Sequence, residues 1–288
     1  MRKTRFDGTV TVITGAGSGI GRATALLTAR RGARVVLTDL DGAGLAETVA
    51  LLAADGLGTS VVHHEALDVT DADAVLAFAG RTHDLVGSVD VVMNVAGIST
   101  WGRIQDLGLE HWRRTVEVDL MGPIHVLHAF VPPMIAARRG GHVVNVSSAA
   151  GLFGLPLHAP YSAAKFGLRG VSEVLRFDLA PYDIGVTLVC PGAVATPLVG
   201  TVDIVGVDRT DPRVAQAIGR FEKHAVSPEK AAAAMVRAVE KGRHMAFTSG
   251  DIRFGWYGQR YVPVGYAAVM HALNKAARRT LRSVKPVG

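Results

Sequence analysis

The chain has 288 residues, of which 49% are hydrophobic and 19% charged, and its formal net charge is +6. This length and apolar content predict one large α/β domain, because no linker rich in proline, glycine and serine divides the chain. A single cysteine, Cys190, excludes internal disulfides and cysteine-based metal clusters, so we expect a reducing compartment and a buried structural thiol. Residues 1–8 have no apolar stretch, and no run of about eighteen apolar residues follows. We therefore expect a cytoplasmic protein.

The N-terminal segment has the pattern of a phosphate-binding turn. Residues 9–14 are typical of a buried strand, and the run Gly-Ala-Gly-Ser-Gly-Ile-Gly at 15–21 leads into an alanine-rich helical pattern over 22–31. Unpaired backbone N–H groups and the helix dipole attract a phosphate to such a turn. The glycine spacing, Gly-x-x-x-Gly-x-Gly, departs from the dinucleotide fingerprint Gly-x-Gly-x-x-Gly.

An acidic residue ends the second predicted strand. Residues 33–38 are strand-like, and Asp39 follows them, eighteen residues after Gly21. A carboxylate at this position accepts hydrogen bonds from the ribose hydroxyls of an adenosine and repels a 2′-phosphate, which favours NAD over NADP. Arg22 could bind a phosphate, but the preferred interpretation is a helix-surface arginine.

Strand-like segments alternate with helical patterns along the chain, at 9–14, 33–38, 60–67, 89–94, 141–147, 185–190 and 244–248. This alternation predicts an α/β fold of Rossmann type, a doubly wound parallel sheet flanked by helices. The cofactor should lie along the carboxyl ends of the strands. We expect residues 1–288 to form a single dinucleotide-binding oxidoreductase domain, with 251–288 as its helical C-terminal extension.

A tyrosine and a lysine form a candidate proton-transfer pair in the run Tyr161-Ser-Ala-Ala-Lys165, thirteen residues after Ser148. Residues four apart share one face of a helix, so the Lys165 ammonium can approach the Tyr161 phenol. A nearby cation lowers the pKa of tyrosine from its ordinary value of about 10. Tyr161 is thus a candidate general acid/base, and the Ser148 hydroxyl can hold the oxygen of an alcohol or carbonyl group.

In combination these motifs resemble those of the short-chain dehydrogenase/reductase family, over residues 8–250. The resemblance implies an NAD-dependent enzyme with Ser148, Tyr161 and Lys165 as catalytic residues, and we expect a homodimer or homotetramer. It also implies that the cofactor is held by Thr14, Gly15, Ser18, Gly19, Ile20, Gly21, Asp39, Asp68, Val69, Asn94, Ala96, Gly97, Tyr161, Lys165, Pro191, Gly192, Val194 and Thr196.

Two positions depart from the pattern of that family. Val95 stands where a second asparagine is usual, and Asp119 replaces the asparagine that completes a catalytic tetrad. We expect Asp119 to be one of the catalytic residues. An ionised aspartate cannot donate a hydrogen bond, and its charge would oppose the effect of Lys165 on Tyr161. The proton relay is therefore expected to differ from that of the family.

Apolar residues around the catalytic motifs predict a pocket for a hydrophobic alcohol or ketone. Steroids, retinoids, and long-chain or alicyclic alcohols all fit this description, and core packing would explain several of the residues equally well. His158 could bind the substrate by a hydrogen bond or could face water. The predicted pocket residues are Ile98, Trp101, Phe153, Leu155, His158 and Leu198.

No metal site is expected. His63 and His64 are adjacent, and His125 and His128 share a helical pattern. Neither pair has a carboxylate or cysteine at a recognised ligand spacing.

The C-terminal extension is strongly basic, with seven lysines and arginines and the single acid Asp251. Residues 266–284 predict an amphipathic helix whose apolar stripe contains Tyr266, Val269, Met270, Leu273, Ala277, Leu281 and Val284. Aromatic residues alternate with Arg253 and Arg260 just before it. Such a segment suits packing on the protein itself or a sister subunit, a substrate entrance, or weak contact with anionic lipid. Nucleic acid is not an expected partner, since no recognition motif accompanies the charge.

Two functions of different classes fit the chain. The first is a short-chain NAD(H)-dependent alcohol dehydrogenase or carbonyl reductase. The second is a non-catalytic dinucleotide-binding regulator or scaffold that retains the fold, which only Asp119 favours. The intact Ser148, Tyr161 and Lys165 favour the enzyme.

Overall fold

The computed structural model describes residues 3–207 and 225–282, together with residues 211, 216 and 219. The strands within this part of the chain are β1 (Val10–Thr14), β2 (Arg34–Asp39), β3 (Val61–Ala66), β4 (Val91–Asn94), β5 (Thr100–Trp101), β6 (Gly141–Val146), β7 (Ile184–Cys190), β8 (Asp203–Ile204) and β9 (Met245–Phe247).

Helices flank and follow these strands. They are α1 (Gly19–Ala29), α2 (Gly42–Ala54), α3 (Ala72–Val86), α4 (Leu109–Val116), α5 (Gly122–Ala137), α6 (Ala159–Asp178), α7 (Pro197–Thr201), α8 (Pro228–Glu240), α9 (Gly250–Tyr261) and α10 (Pro263–Arg282). A π-helical turn, Glu117–Met121, joins α4 to α5, and single 3₁₀ turns lie at Gly58–Ser60, Ala149–Gly151 and Ala180–Tyr182.

Seven strands form one sheet in the order β3-β2-β1-β4-β6-β7-β9, and every neighbouring pair is parallel. The predicted doubly wound parallel sheet is confirmed, and the strand ends differ from the predicted ones by one or two residues. All residues of β1, β6 and β7 are buried. Helices on both faces leave no water-facing side, so these strands carry nearly continuous apolar runs instead of alternating ones.

Successive residues of a strand pack into two separate core layers, one on each face of the sheet. Ile13 packs with α1, α2 and α8 on one face, whereas its neighbour Val12 packs with α3 and α5 on the other. Phe78 of α3 and Phe130 of α5 meet edge to face in the second layer, with ring centroids 6.2 Å apart. This alternation follows from the two-residue period of a strand.

The strand order reverses between β1 and β4, which opens a crevice at their carboxyl ends. The Thr14 hydroxyl oxygen accepts hydrogen bonds from the backbone N–H groups of Val95 (3.0 Å) and Ala96 (3.1 Å). The segments that leave the two strands are thereby held side by side. A ligand in this crevice would contact both.

The continuous helical stretch Leu109–Ala137 is apolar and long enough, by length and composition alone, to cross a membrane. Its α5 part packs Val126, Phe130 and Met134 into the core against the sheet. A core helix of a large α/β domain has the same composition, and the contacts of α5 are those of a core helix.

The C-terminal extension folds into two successive helices, α9 and α10. The amphipathic helix predicted to begin at Tyr266 begins at Pro263, where proline suits the first turn. Within α10, Tyr266, Met270 and Ala277 are partly buried, whereas His271 and Lys275 are exposed. Three members of the predicted apolar stripe are therefore partly buried, whereas Val269 and Leu273 are exposed, and the last predicted member, Val284, lies outside the described residues.

Candidate active site

The glycine-rich turn after β1 leaves no space for side chains at two of its glycines. Gly15 has a φ of +68°, and a Cβ there would lie 2.7 Å from the backbone nitrogen of Ala96. A Cβ at Gly21 would lie 1.8 Å from the Gly15 carbonyl oxygen. The helix that follows begins at Gly19, earlier than the predicted residue 22, so Gly19 and Gly21 lie in its first turn. The unusual spacing of the glycines thus still produces a close approach of turn, helix and β4.

Asp39, at the end of β2, is held against this turn. Its carboxylate accepts hydrogen bonds from the backbone N–H of Gly17 (2.7 Å) and of Asp41 (2.9 Å). Arg22 donates to the Gly17 carbonyl (2.5 Å) and to the carboxylate of Glu47 (2.6 Å), so it braces the turn as a helix-surface arginine. The carboxylate of Asp39 therefore has a defined position at the edge of the crevice.

A cleft of about 870 Å³ runs along the strand ends from Asp39 to Gly97 and Thr196. Its wall combines bare glycine backbone with polar groups, as a dinucleotide requires. Asp68, whose carboxylate is fixed by the backbone and hydroxyl of Thr70, lies on its rim. The predicted residues that line it are Gly15, Ser18, Gly19, Ile20, Gly21, Asp39, Asp68, Val69, Ala96, Gly97, Ile98, Thr196 and Leu198.

Ser148, Tyr161 and Lys165 come together beside this cleft, in an adjoining cavity. Ser148 follows β6, and its hydroxyl oxygen accepts from the backbone N–H of Ala150 at 3.1 Å. Tyr161 lies in the first turn of α6, one turn before Lys165. The Lys165 ammonium is 5.7 Å from the centroid of the Tyr161 ring and donates to the Val146 carbonyl at 3.2 Å. The predicted trio therefore shares one site.

The pKa of Tyr161 differs from the sequence-based expectation. Burial raises it well above its usual value, the Asp119 charge raises it further, and a hydrogen bond with Ser148 lowers it only in part. The Lys165 ammonium lies over the Tyr161 ring and 3.7 Å from the Asp119 Oδ1, whose charge opposes its effect on the phenol. Desolvation sets the direction of the pKa shift, so the phenol is protonated at neutral pH.

Asp119 lies beneath the site, in the π-helical turn between α4 and α5, and is completely buried. Its Oδ1 accepts from the Ile98 backbone N–H at 2.9 Å and is 3.7 Å from the Lys165 Nζ, whereas Oδ2 has no hydrogen-bond partner among the described residues. Burial raises its pKa to about 6, despite the opposing effects of Lys165 and Ile98. Asp119 thus positions Lys165 and the segment after β4 from behind the cavity.

A second cavity, of about 520 Å³, contains the catalytic trio. All six predicted pocket residues line it, and so do Pro191, Gly192, Val194 and Thr196. The His158 ring lies 4.4 Å from that of Trp101 and 6.3 Å from that of Tyr161. Its Nδ1 is 2.7 Å from the Pro156 carbonyl, which can only accept, so this nitrogen carries the proton. Burial lowers the pKa of His158, which leaves Nε2 of the neutral ring as an acceptor.

Three predicted site residues line neither cavity. Thr14 and Asp119 are buried behind the walls, and Asn94 donates from its side chain to Asn145 at 2.9 Å, inside the sheet. Asn94 therefore joins β4 to β6, and its side chain is not positioned to contact a cofactor. Cys190 is buried and its pKa is raised to about 12 by burial, as befits a structural thiol.

The sequence patterns missed part of the cavity wall. Ile252 of α9 and Val269, Met270 and Leu273 of α10 line the catalytic cavity, although the chain places them far from Tyr161. The amphipathic spacing of α10 predicts a buried face. It does not predict that this face borders the catalytic cavity. In the cofactor cleft, Leu40, Asp41, Arg114 and Glu117 were also not predicted, because they belong to no motif.

Comparison with known proteins matches residues 9–204 to the short chain dehydrogenase family. The chain is 42% identical over 192 residues to trans-4-hydroxycyclohexanecarboxylate dehydrogenase of Sinomonas cyclohexanicum, covering 66% of this chain and 73% of that protein. It is 39% identical over 240 residues to a Mycobacterium tuberculosis protein named "Probable oxidoreductase EphD", which covers 82% of this chain. The match spans only 40% of EphD, so that relative is much longer.

Solved structures have the same fold. A short chain dehydrogenase/reductase from Burkholderia phymatum, in complex with NAD, superposes with a TM-score of 0.80 at 28% identity and covers 89% of this chain and 94% of its own. An alcohol dehydrogenase from Thermococcus sibiricus, complexed with 5-hydroxy-NADP, gives a TM-score of 0.70 at 25% identity, with coverages of 83% and 95%. Sequence, sheet order and site geometry agree: the chain belongs to the short-chain dehydrogenase family of nicotinamide-dinucleotide oxidoreductases.

Proposed function

We propose that this protein is an NAD-dependent oxidoreductase that interconverts a hydrophobic alcohol and its carbonyl compound. One observation carries the proposal: Ser148, Tyr161 and Lys165 line an apolar cavity that shares walls with the dinucleotide cleft. Gly97 and Ile98 line both spaces, so the two ligands would meet beside the trio. When bound, the nicotinamide cofactor accepts or supplies the hydride.

The cofactor assignment rests on Asp39 and the glycine turn. Gly15, Gly19 and Gly21 leave room for a pyrophosphate at the start of α1, and Asp39 provides a fixed carboxylate where the adenosine ribose would lie. A 2′-phosphate would meet that negative charge. The NAD-bound relative from Burkholderia supports this preference, whereas the Thermococcus relative carries an NADP derivative.

Tyr161 acts as the general acid/base in this proposal. In the reduction direction its protonated phenol donates to the carbonyl oxygen, and Ser148 steadies that oxygen by a hydrogen bond. In the oxidation direction the phenol must first lose its proton, and the Lys165 ammonium favours the phenolate. Asp119 keeps Lys165 in place but opposes this charge effect, since its carboxylate raises the pKa of Tyr161.

The cavity favours a neutral, compact alcohol. Among the described residues that line it, Lys165 is the only cation, so a substrate carboxylate would find no dedicated arginine or histidine cation. The Sinomonas relative is named for a cyclic hydroxy acid. For this chain we propose a neutral alicyclic or branched alcohol instead, with His158 Nε2 accepting from a second polar group of the substrate.

Steady-state assays of cyclohexanol, menthol, straight-chain alcohols and a hydroxy acid, each with NAD and with NADP, test the proposal by absorbance of the reduced cofactor. We expect turnover of the neutral cyclic alcohols with NAD, and loss of turnover in Ser148→Ala. Calorimetric titration of NAD provides the control for cofactor binding. Tight NAD binding without turnover of any alcohol or ketone would support the non-catalytic regulator instead.

A further inference from the structure

The α10 helix, near the end of the chain, forms one wall of the catalytic cavity. Val269, Met270 and Leu273 line the same space as Ser148 and Tyr161. Val269 is 55% and Leu273 45% exposed, which is unusual for large apolar side chains that border a cavity. A bulky substrate that extends past the catalytic trio would meet these side chains, so their size limits the space that it can occupy.

A small set of contacts holds α10 over the cavity. The backbone N–H of Gly154 donates to the Tyr266 hydroxyl oxygen at 3.0 Å, and the Tyr266 ring lies 6.4 Å from that of Phe153. Phe153 in turn lies against Gly255 of α9, where a Cβ would come within 3.0 Å of its ring. Tyr266 thus connects α10 to the loop that carries two of the predicted pocket residues, Phe153 and Leu155.

The charges of α10 agree with this orientation. His271 and Lys275 are exposed and do not line the cavity, while Tyr266 and Met270 are partly buried. Val269, Met270 and Leu273 of the apolar stripe line the cavity. A helix that used this stripe to bind lipid would first have to leave the catalytic site.

We propose that α10 is a cap that selects substrates by size, with Met270 and Leu273 as specificity-determining residues and Tyr266 as the positioning residue. The inference rests on the proposed alcohol dehydrogenase function and names the part of the chain that sets the substrate class. Alcohols with a branched ring, such as menthol, reach the cap, whereas smaller ones with an unsubstituted ring do not. The cap contacts should therefore matter more for menthol than for cyclohexanol.

The test compares kcat/KM for menthol and cyclohexanol in the full-length protein. Leu273→Ala should raise the menthol-to-cyclohexanol ratio by about tenfold, and Leu273→Trp should lower it by a similar factor, because each changes the space next to the substrate. Val264→Ala is the matched control, since Val264 lies on the same helix, is 82% exposed and does not line the cavity. Its ratio should equal that of the parent protein.

Tyr266→Phe removes only the hydroxyl group that accepts from Gly154. We expect a several-fold higher KM for menthol with an unchanged kcat and unchanged NAD affinity, which separates positioning from a general loss of structure. An unchanged substrate ratio in both Leu273 variants of an active parent would overturn the cap. If the parent oxidises neither alcohol, the proposed function fails. In that case the affinities of the same variants for menthol and cyclohexanol, measured by calorimetry, test the cap. Equal affinity ratios in the parent and both Leu273 variants would overturn it.

Discussion

The cofactor cleft and the capped cavity are built in different ways. The cleft is formed mostly by backbone at the ends of β1, β2 and β4, and a Cβ at Gly15 or Gly21 would collide with backbone atoms. The cavity is closed by side chains of α9 and α10, helices in which no described residue is fully buried. The rigid sheet thus holds the part common to nicotinamide enzymes, while the loosely packed helices hold the part that selects the substrate.

This contrast indicates where the chain tolerates change. Backbone atoms in a sheet cannot move aside without disturbing neighbouring strands, so substitutions in the cleft should be costly. Side chains on a half-exposed helix can be replaced with small effects on stability. Variation in α10 should therefore alter specificity without loss of the fold.

The largest effect is expected at the point where the two regions meet. Tyr161→Phe removes the hydroxyl that transfers the proton, so kcat should fall by about 10²- to 10⁴-fold while NAD affinity stays nearly constant. Lys165→Ala should weaken both turnover and NAD binding. Single-turnover kinetics and calorimetry measure the two quantities. A Tyr161→Phe variant that retains most of the parent rate would refute the acid/base role.

The next largest effect concerns the backbone of the cleft. In Gly21→Ala the new methyl group would lie 1.8 Å from the Gly15 carbonyl oxygen, so the turn must distort. We expect a loss of NAD affinity of about two orders of magnitude, equivalent to about 3 kcal/mol. Gly80→Ala is the control, because Gly80 lies in α3 with no atom within 4 Å of an added Cβ. Equal NAD affinity in the two variants would contradict the backbone-built cleft.

An intermediate effect is expected at Asp39. Asp39→Ala removes both the ribose acceptor and the charge that repels a 2′-phosphate, so kcat/KM should shift toward NADP by about one to two orders of magnitude. Asp39→Asn separates the two contributions, since its amide oxygen can still accept from the Gly17 N–H without the charge. Comparable kcat/KM values for NAD and NADP in the parent protein would already rule out the assigned role.

The smallest effect on activity is expected at Asp119. Asp119→Asn keeps the shape of the side chain and can accept from Ile98, so activity should be retained or rise. The Ile98 backbone N–H can donate to the amide oxygen as it does to Oδ1 in the parent protein. A decrease in kcat/KM of more than about tenfold would show that the charge has a specific role.

The effect of the same substitution on stability should depend on pH, because Asp119 titrates and asparagine does not. The pKa of Asp119 is about 6 in the folded protein and about 3.9 in an unfolded chain. Between these values the folded state binds more protons, so this residue lowers the free energy of unfolding as pH rises, and the full cost remains at pH of about 7. Asp119→Asn should therefore raise the melting temperature more at neutral pH than near pH of about 4.5. A larger gain at acidic pH would contradict the raised pKa.

Contact of the C-terminal extension with anionic lipid stays a prediction. A homo-oligomer and a cytoplasmic location of the protein also stay predictions. Phe254 and Tyr261 of α9 are 79% and 70% exposed, so this helix presents an aromatic face beside Arg253 and Arg260. Sedimentation with anionic and neutral vesicles should show at most weak, salt-sensitive binding.

The sequence by itself determined the strands, the cofactor turn and the Tyr161–Lys165 pair, because each is specified by a pattern that is local in the chain. Continuous apolar runs specify buried parallel strands, glycines specify a turn that admits no side chain, and four-residue spacing places Tyr161 and Lys165 on one helix face. These features were found from the residues alone, with element ends displaced by only a few positions.

Only the tertiary structure decided which distant residues share the site and how solvent exclusion changes their chemistry. Met270 and Leu273 line the cavity because the fold brings α10 next to Tyr161. The sequence of α10 does not indicate which part of the chain it packs against. The Asn94 side chain lies inside the sheet and donates to Asn145, which is far from it in the sequence. The direction of the Tyr161 pKa shift likewise depends on burial and on the Asp119 charge, which a linear pattern does not measure.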